Sequence, residues 1–517
     1  MDHRNRLSSL LSRTDILLAT LIGIGVLAIY VRTAAPSLLW GDSAEFQTLS
    51  YFLGMSHPSG YMTQIMIGKL FTYLPVGNVA YRVNLMSAFF GALTVAEIYL
   101  IGRLLGGLRV AVVGSCLLLA FAESFWWRAL IAESYTPAAA MLAMVWLFIL
   151  LWRNSGKWQF LFLAGLAGGL SVGIHATVVM TSVSVLVFMA LTARRREDWL
   201  GAAGGALLGA LLTFGFFLYL DHNDPPVSIY NTVYRVNLSA FGLTPQEFDT
   251  PLKRLFAIFP AGSFWSYYFS AESGEIIRRL QEFISYFPVW MVALIAAGIL
   301  TPFLQRRLPE ALYPLIAFIL IWGFAVTVVF SVYREFYVPM WSIVYIWFGL
   351  GTSAMLRLAD RLFNQKQVTG KATRLVIGIL LVLLPVWNAR DNLTGAILRG
   401  VPGFVVQHGI YPAAGYEKAF LDARDVLNRV ENDAIIFTNW DKLYSVVYTA
   451  HVELHKRDVA VHEWLTDDPE GARSAIAYID ENIDERPIYF SIVAPRLPES
   501  FRLEQVHDML YRVYRND

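Results

Sequence analysis

The feature that most constrains this chain is a series of apolar runs, almost free of charge, that begins near residue 15 and ends near residue 388. A helix of about twenty apolar residues crosses the hydrocarbon core of a bilayer. The sequence therefore predicts a multipass α-helical membrane protein. We predict about eleven transmembrane helices, near residues 15–32, 79–101, 109–125, 134–152, 158–174, 176–193, 199–220, 283–304, 311–331, 337–358 and 373–388.

Charged residues divide the chain into two domains. The 41 basic and 40 acidic residues make up only 16% of the chain, against about 25% in a typical soluble protein. Of these 81 residues, 35 fall among the last 129. We therefore predict a transmembrane domain at residues 1–388 and a small α/β domain at residues 389–517. In the second domain, Ala434–Thr438 and Ile488–Ile492 are predicted as buried strands.

Basic residues in short loops predict the orientation, because cytoplasmic loops carry an excess of Lys and Arg. Clusters that include Arg103, Arg194 and Arg306 fall in alternate loops and so share one side. We expect these loops and the N-terminus in the cytoplasm, and the C-terminal domain outside it. The first apolar run has no small-residue cleavage site, which predicts an uncleaved anchor. The expected location is the plasma membrane.

The remaining composition excludes several classes of protein. The net charge of +1 leaves no basic surface for nucleic acid. The one cysteine, Cys116, excludes a disulfide framework. His451 and His455 are four residues apart, but a zincin needs Glu directly after the first His, where Val452 stands. We predict neither nucleic-acid binding nor a metal site.

The first outward loop, residues 33–78, contains the candidate catalytic residues. Asp42 and Glu45 are three apart and so share one face of a helix. A carboxylate near an apolar interface is a better base than one in water. A structural alternative is a capping box, with Asp42 as N-cap and Glu45 at N3. His57 follows at a turn that Pro58 and Gly60 define.

The other outward turns add further polar candidates. Arg128 and Glu133 flank one tight turn. Arg128 is a candidate phosphate ligand, and contact with lipid headgroups is its alternative role. His175 interrupts an apolar stretch, where a polar side chain usually faces an interior or a cavity. A structural interior histidine is the alternative there.

The last candidates, Arg334 and Tyr337, begin the tenth predicted span. Arg334 could neutralise a leaving phosphate, and local pairing with Glu335 is its alternative role. Together with His57, Arg128, Glu133 and His175, these two residues form the predicted donor-phosphate and substrate-binding set. All of them fall in outward turns, so the sequence predicts a site on one face of the membrane.

Several motifs resemble one family of multipass enzymes. They are Trp40-Gly-Asp42-Ser-Ala-Glu45-Phe, His57-Pro58-Ser59-Gly60-Tyr61, Arg82-Val-Asn84-Leu and Ala132-Glu133-Ser-Tyr135. The family includes the eukaryotic transmembrane protein O-mannosyltransferase and belongs to the GT-C glycosyltransferases. The chain departs from the family pattern at Ser59 and Met62, where the family usually has proline.

The resemblance implies a GT-C-like fold and a polyprenyl-phosphate sugar donor. It also implies transfer to an acceptor hydroxyl outside the cytoplasm, with an acidic residue of the first loop as the base. That role maps best to Asp42, with Glu45 as the rival. We therefore expect an inverting membrane glycosyltransferase, with mannose as a candidate sugar and no cofactor besides the donor.

The expected partners are membrane lipid, the lipid-linked sugar donor and a protein, glycan or lipid acceptor. A polytopic transporter or flippase is the main alternative function. A transporter favours internal repeats and ionisable residues at mid-membrane, whereas the candidate residues here cluster at one face. A receptor that uses the outer α/β domain without catalysis is a further alternative.

Overall fold

The structure is a computed structural model that describes residues 11–259, 266–330, 333–362, 368–407 and 417–516. The helices within these ranges are α1 (Arg13–Thr33), α2 (Gly41–Phe52), α3 (Met62–Thr72), α4 (Val79–Leu104), α5 (Arg109–Ala120), α6 (Glu123–Arg128), α7 (Tyr135–Ser155), α8 (Gln159–Ser171), α9 (Ser182–Thr192), α10 (Arg196–Asn223), α11 (Pro251–Ile258), α12 (Ser273–Ser285), α13 (Val289–Leu304), α14 (Leu308–Thr327), α15 (Val338–Leu362), α16 (Val368–Asn388), α17 (Arg390–Arg399), α18 (Gly403–Gln407), α19 (Lys418–Leu427), α20 (Trp440–Tyr448) and α21 (Arg473–Asn482). The strands are β1 (Ile435–Thr438), β2 (Ala460–Glu463), β3 (Ile488–Phe490), β4 (Phe501–His507) and β5 (Leu510–Arg515).

Six described helices are long and apolar enough to cross a membrane: α1, α4, α7, α10, α14 and the continuous helix that contains α15. Each coincides with a predicted span. The number becomes seven if α12 and α13, which meet at 97°, form one span. The multipass helical fold is confirmed, and the count of eleven spans stays a prediction.

His175 lies at the break between two predicted spans, 158–174 and 176–193. Its backbone is extended, and its side chain accepts a hydrogen bond from the N–H of Thr177. The apolar stretch on either side is thereby divided into two helices of 10–17 residues, Gln159–Ser171 and Ala176–Thr192. The two helices correspond to the predicted spans 158–174 and 176–193, which the sequence also separates at residue 175.

The C-terminal domain contains a five-stranded sheet of order β2-β1-β3-β5-β4. Strand β1 is parallel to β2 and β3, while β5 pairs antiparallel with β3 and β4. Helix α20 connects β1 to β2, and α21 connects β2 to β3, so the chain adds strands on opposite sides of β1. Open α/β sheets bind ligands beyond the carboxyl ends of strands at such a reversal.

Two helices beyond the predicted domain boundary at residue 389 pack with the helical body, and the boundary itself stays a prediction. Helices α17 and α18 join the helical body, because Ala396 and Phe404 are buried in the same apolar cluster as Trp126. The Phe404 and Trp126 rings lie 5.5 Å apart. A higher fraction of charged residues indicates a more polar surface, but it does not show with which hydrophobic core a helix packs. The α/β fold begins at α19 among the described residues.

Helix α20 docks the C-terminal domain onto α2. Leu443 and Val447 of α20 are buried in one apolar cluster with Leu49 of α2. The Tyr448 hydroxyl accepts a 3.1 Å hydrogen bond from the backbone N–H of Ala80. Apolar burial of this kind is worth roughly 25 cal/mol per Å². The contact therefore holds the first turn of α20 beside the first turn of α2.

Candidate active site

The carboxylate pair lies near the start of α2 but does not cap this helix. The helix begins at Gly41, and Trp40 at the N-cap makes no side-chain capping hydrogen bond. Asp42 and Glu45 instead bond to residues outside α2, namely Trp440 and His57. The capping-box alternative is therefore wrong, and both carboxylates are available for another role.

His57 stands between the two carboxylates. Its backbone N–H donates to Glu45 Oε1 at 2.8 Å, and its ring Nδ1 hydrogen-bonds to Glu45 Oε2. On the opposite edge of the ring, Nε2 lies 3.9 Å from Asp42 Oδ2. The Tyr61 ring packs on the imidazole with centroids 4.8 Å apart. The turn after α2 thus places one carboxylate at each nitrogen of the ring.

The charge of His57 follows from these neighbours. Burial alone would lower the pKa of His57, but the carboxylates of Glu45 and Asp42 raise it to about 9. The imidazole therefore carries a positive charge at neutral pH. The Glu45 side chain is fully buried against it, whereas the Asp42 side chain is 40% exposed. An incoming molecule can reach Asp42 but not Glu45.

A second charged cluster, formed by Arg128, Glu133 and Glu335, adjoins the first. Arg128 Nη2 pairs with Glu335, and Arg128 Nη1 lies 3.5 Å from Glu133 Oε1. The Ser43 hydroxyl of α2 donates to Glu133 Oε1 at 3.4 Å, which links the two clusters. Burial raises the pKa of Glu133 well above its usual range despite the Arg128 guanidinium. Burial thereby favours the neutral form of Glu133.

His175 lies behind this site as an interior residue. Its ring packs 5.4 Å from Tyr135 and 6.1 Å from Tyr61, and its Nδ1 lies 2.7 Å from the Thr177 hydroxyl. Burial lowers the pKa of His175 to about 4, so the ring is neutral. The structural alternative therefore fits His175 better than direct phosphate binding does.

Arg334 and Tyr337 bond away from the two clusters. Arg334 Nε donates to Glu282 Oε1 at 2.6 Å, and its side chain is 60% exposed. The Tyr337 ring packs 5.3 Å from Phe283. The local Arg334–Glu335 pairing is also wrong, because Glu335 pairs with Arg128. These residues lie in a 3₁₀ turn, where neighbouring side chains point about 120° apart.

Known proteins match the segment that contains most of these residues. Residues 42–199 match the family model of the protein O-mannosyl-transferase TMEM260 N-terminal domain. The chain is 35% identical over 117 residues to TMEM260 of Mus musculus and 29% identical over 100 residues to tmem260 of Dictyostelium discoideum. These alignments cover 22% and 19% of this chain, and only 16% and 12% of the relatives' own length.

Solved structures extend the likeness over nearly the whole chain. ArnT from Cupriavidus metallidurans, crystallised with undecaprenyl phosphate, superimposes with a TM-score of 0.55. The alignment covers 96% of this chain and 97% of ArnT at 14% identity, and apo ArnT gives a TM-score of 0.54. The chain has the ArnT fold. The predicted multipass membrane fold is thereby confirmed, and the family model over residues 42–199 confirms the resemblance to O-mannosyltransferases in that segment.

Within this ArnT-like fold, one residue that the sequence did not indicate, Trp440, contacts the first cluster from the C-terminal domain, and Glu463 of the same domain is buried within its electrostatic influence. Trp440 Nε1 donates to Asp42 Oδ1 at 2.8 Å, and its ring lies 5.4 Å from His57. Glu463, at the end of β2, is 8% exposed. Burial, with the Glu45 carboxylate adding to it, raises the pKa of Glu463 to about 8.

The raised pKa of Glu463 predicts a pH-dependent stability. In the folded protein, Glu463 favours the protonated acid. Its contribution to the free energy of unfolding is therefore complete below the ordinary pKa of 4.5 and is lost as the pH rises through the folded-state pKa of about 8. Glu463→Gln keeps the size of the side chain without the charge. The melting temperature of Glu463→Gln should therefore exceed that of wild type by an amount that grows from pH 5 to pH 9. A constant difference across that range would contradict the assignment.

Proposed function

We propose that this chain is a membrane glycosyltransferase that moves a sugar from a polyprenyl-phosphate donor to an acceptor hydroxyl. The Mus musculus relative is named a protein O-mannosyl-transferase, which supports mannose as the sugar and a protein as the acceptor. The ArnT structure with undecaprenyl phosphate supports a polyprenyl-phosphate donor. Glycan and lipid hydroxyls are the other acceptors that the same chemistry would serve.

The different exposure of four carboxylates carries this proposal. The side chains of Glu45, Glu133 and Glu335 are 0%, 9% and 18% exposed, and each has a cationic partner. Asp42 is 40% exposed and lies beside the charged imidazole of His57. It is therefore the member of the four that a hydroxyl group can approach, and it has the chemistry of a general base.

The proposed reaction is a single displacement. Asp42 accepts the proton of the acceptor hydroxyl while the hydroxyl oxygen forms a bond to the anomeric carbon of the sugar. The bond from that carbon to the phosphate oxygen breaks, and its electron pair leaves with the polyprenyl phosphate. A displacement in one step inverts the configuration at the anomeric carbon. The base contributes roughly a hundredfold to ten-thousandfold in rate.

Two cations would stabilise the departing phosphate. The imidazolium of His57 and the guanidinium of Arg128 adjoin Asp42 and Glu133 respectively. Fixed positive charges in a water-poor site stabilise developing negative charge strongly. Of the three cations that the sequence suggested for this role, Arg334, Arg128 and His57, we assign it to Arg128 and His57, and we propose no metal or further cofactor.

We also propose that the site lies outside the cytoplasm, at the plasma membrane. Near the start of α1, Asp15 pairs with Arg103 and Arg109, which belong to a loop predicted to be cytoplasmic. Just beyond the other end of α1, the Ala35 N–H bonds to the Leu130 carbonyl beside the candidate site. A reporter that is active only outside the cytoplasm, fused after residue 517, tests this orientation. Activity of the same reporter in the cytoplasm would overturn it.

The function is tested by transfer with purified components. The protein, reconstituted in liposomes, is incubated with radiolabelled polyprenyl-phosphate mannose and a peptide rich in serine and threonine. We expect label in the peptide, and a parallel set of other lipid-linked sugars and of glycan or lipid acceptors defines the specificity. Passage of intact donor across the bilayer without transfer to any acceptor would instead favour a flippase.

A further inference from the structure

We infer that Trp440 is a positioning residue, through which the C-terminal domain sets the orientation of the Asp42 carboxylate. This inference rests on the proposed function. The indole Nε1–H donates to Asp42 Oδ1 at 2.8 Å, across 398 residues of sequence. A hydrogen bond to a charged carboxylate is about twice as strong as one between neutral groups.

The contact is directional because it occupies one oxygen of the carboxylate. Trp440 holds Oδ1, while Oδ2 faces the imidazole of His57 at 3.9 Å. Asp42 is 40% exposed, so the indole hydrogen bond restricts the rotation of a carboxylate whose one charged contact among the described residues of the first cluster is His57. The indole thereby leaves Oδ2 as the atom that receives the acceptor proton.

Trp440 itself is held firmly. It is the first residue of α20, which the Asn439 side chain caps by accepting from the Lys442 N–H. Its ring packs against Tyr444 and His57, with centroids 5.8 Å and 5.4 Å apart. Because α20 is docked on α2 through buried apolar side chains, the indole keeps a fixed position relative to Asp42.

The position of Trp440 in the sheet supports the same inference. Trp440 lies two residues after the end of β1, at the edge of the sheet where the parallel strands have their carboxyl ends. At this edge the chain passes from β1 to β2 on one side of β1 and then from β2 to β3 on the other. Open α/β sheets use this edge to contact ligands. Here the edge contacts a carboxylate of the helical body, so the C-terminal domain contributes to the transferase site rather than forming a site of its own.

The test compares two tryptophans of one domain. Trp440→Phe keeps an aromatic ring and removes the N–H donor. We expect kcat to fall about tenfold, because a small misplacement of a reacting group lowers the rate by up to about a hundredfold. The KM values for donor and acceptor should stay within about twofold of wild type. Trp464→Phe is the matched control, because Trp464 Nε1 also donates to a carboxylate, Asp467 Oδ1, at 2.8 Å. The control should keep the kcat of wild type.

A second substitution covers the case in which Trp440→Phe folds poorly. Trp440→His restores a ring N–H and should recover part of the lost kcat, and melting temperatures identify any folding defect. Equal kcat values for Trp440→Phe and wild type, or a raised KM with unchanged kcat, would overturn the positioning role while the transferase function stands. Absence of transfer by the wild-type protein would instead overturn the proposed function.

Discussion

Asp42→Asn should lower kcat for sugar transfer by about a hundredfold to ten-thousandfold, the usual contribution of a general base. Asparagine keeps the size of the side chain and an oxygen that can accept the Trp440 indole hydrogen bond, but it cannot take up a proton. The melting temperature and the affinity for the donor should therefore stay close to those of wild type. Transfer rates, donor binding and thermal unfolding of the purified variant check this expectation.

Glu45→Gln provides the comparison, because its effect should depend on pH. Glutamine removes the carboxylate that contributes most to the raised pKa of His57, while Asp42 remains beside the ring. The pKa of His57 should then fall, because burial disfavours the charged ring. Transfer by Glu45→Gln should accordingly be weak at neutral pH and recover at lower pH, whereas Asp42→Asn stays inactive throughout. An active Asp42→Asn beside a Glu45→Gln that is inactive at every pH would move the base to Glu45.

Arg128→Met should reduce both activity and stability strongly. The Arg128 side chain is 12% exposed and pairs with Glu335 and Glu133. Breaking a buried ion pair by removing one partner typically costs about 3–5 kcal/mol. Losing a charge that stabilises a leaving group can lower kcat by a further hundredfold to thousandfold. The melting temperature of the variant reports the loss of stability, and transfer rates measured well below that temperature report the loss of activity.

Two controls accompany this variant. Arg128→Lys keeps the charge but loses the planar fork that binds two oxygens, so it should recover only part of the rate. Arg334→Met removes an arginine that is 60% exposed and paired with Glu282. An exposed pair contributes about 1 kcal/mol or less, so this variant should resemble wild type. Wild-type rates in Arg128→Met, or a severe loss in Arg334→Met, would contradict the assignment of the phosphate contact.

The sequence predicted the helical membrane fold well because hydropathy reflects the bilayer directly. It also placed a break between two spans at residue 175, where the structure has the extended backbone of His175. It did not predict that α17 and α18, which lie beyond the predicted boundary at residue 389, pack with the helical body through Ala396 and Phe404. Composition averages over a segment, whereas packing depends on individual side chains.

The candidate site was predicted in part. The spacing of Asp42 and Glu45 predicted two carboxylates that the structure does bring together, and His57, which holds Glu45, comes from the turn after the helix. The sequence did not predict that Glu335 pairs with Arg128 while Arg334 pairs with Glu282. The contribution of Trp440 could not be predicted from spacing, because 398 residues separate it from Asp42.

In the proposed mechanism, Asp42 activates an acceptor hydroxyl for direct attack on the sugar. The most direct test is the anomeric configuration of the product that the wild-type protein forms from a polyprenyl-phosphate sugar of known configuration, determined by NMR. A single displacement gives a product of the opposite configuration. Retention of the donor's configuration would contradict this mechanism, because attack from the side opposite the leaving phosphate inverts the anomeric carbon.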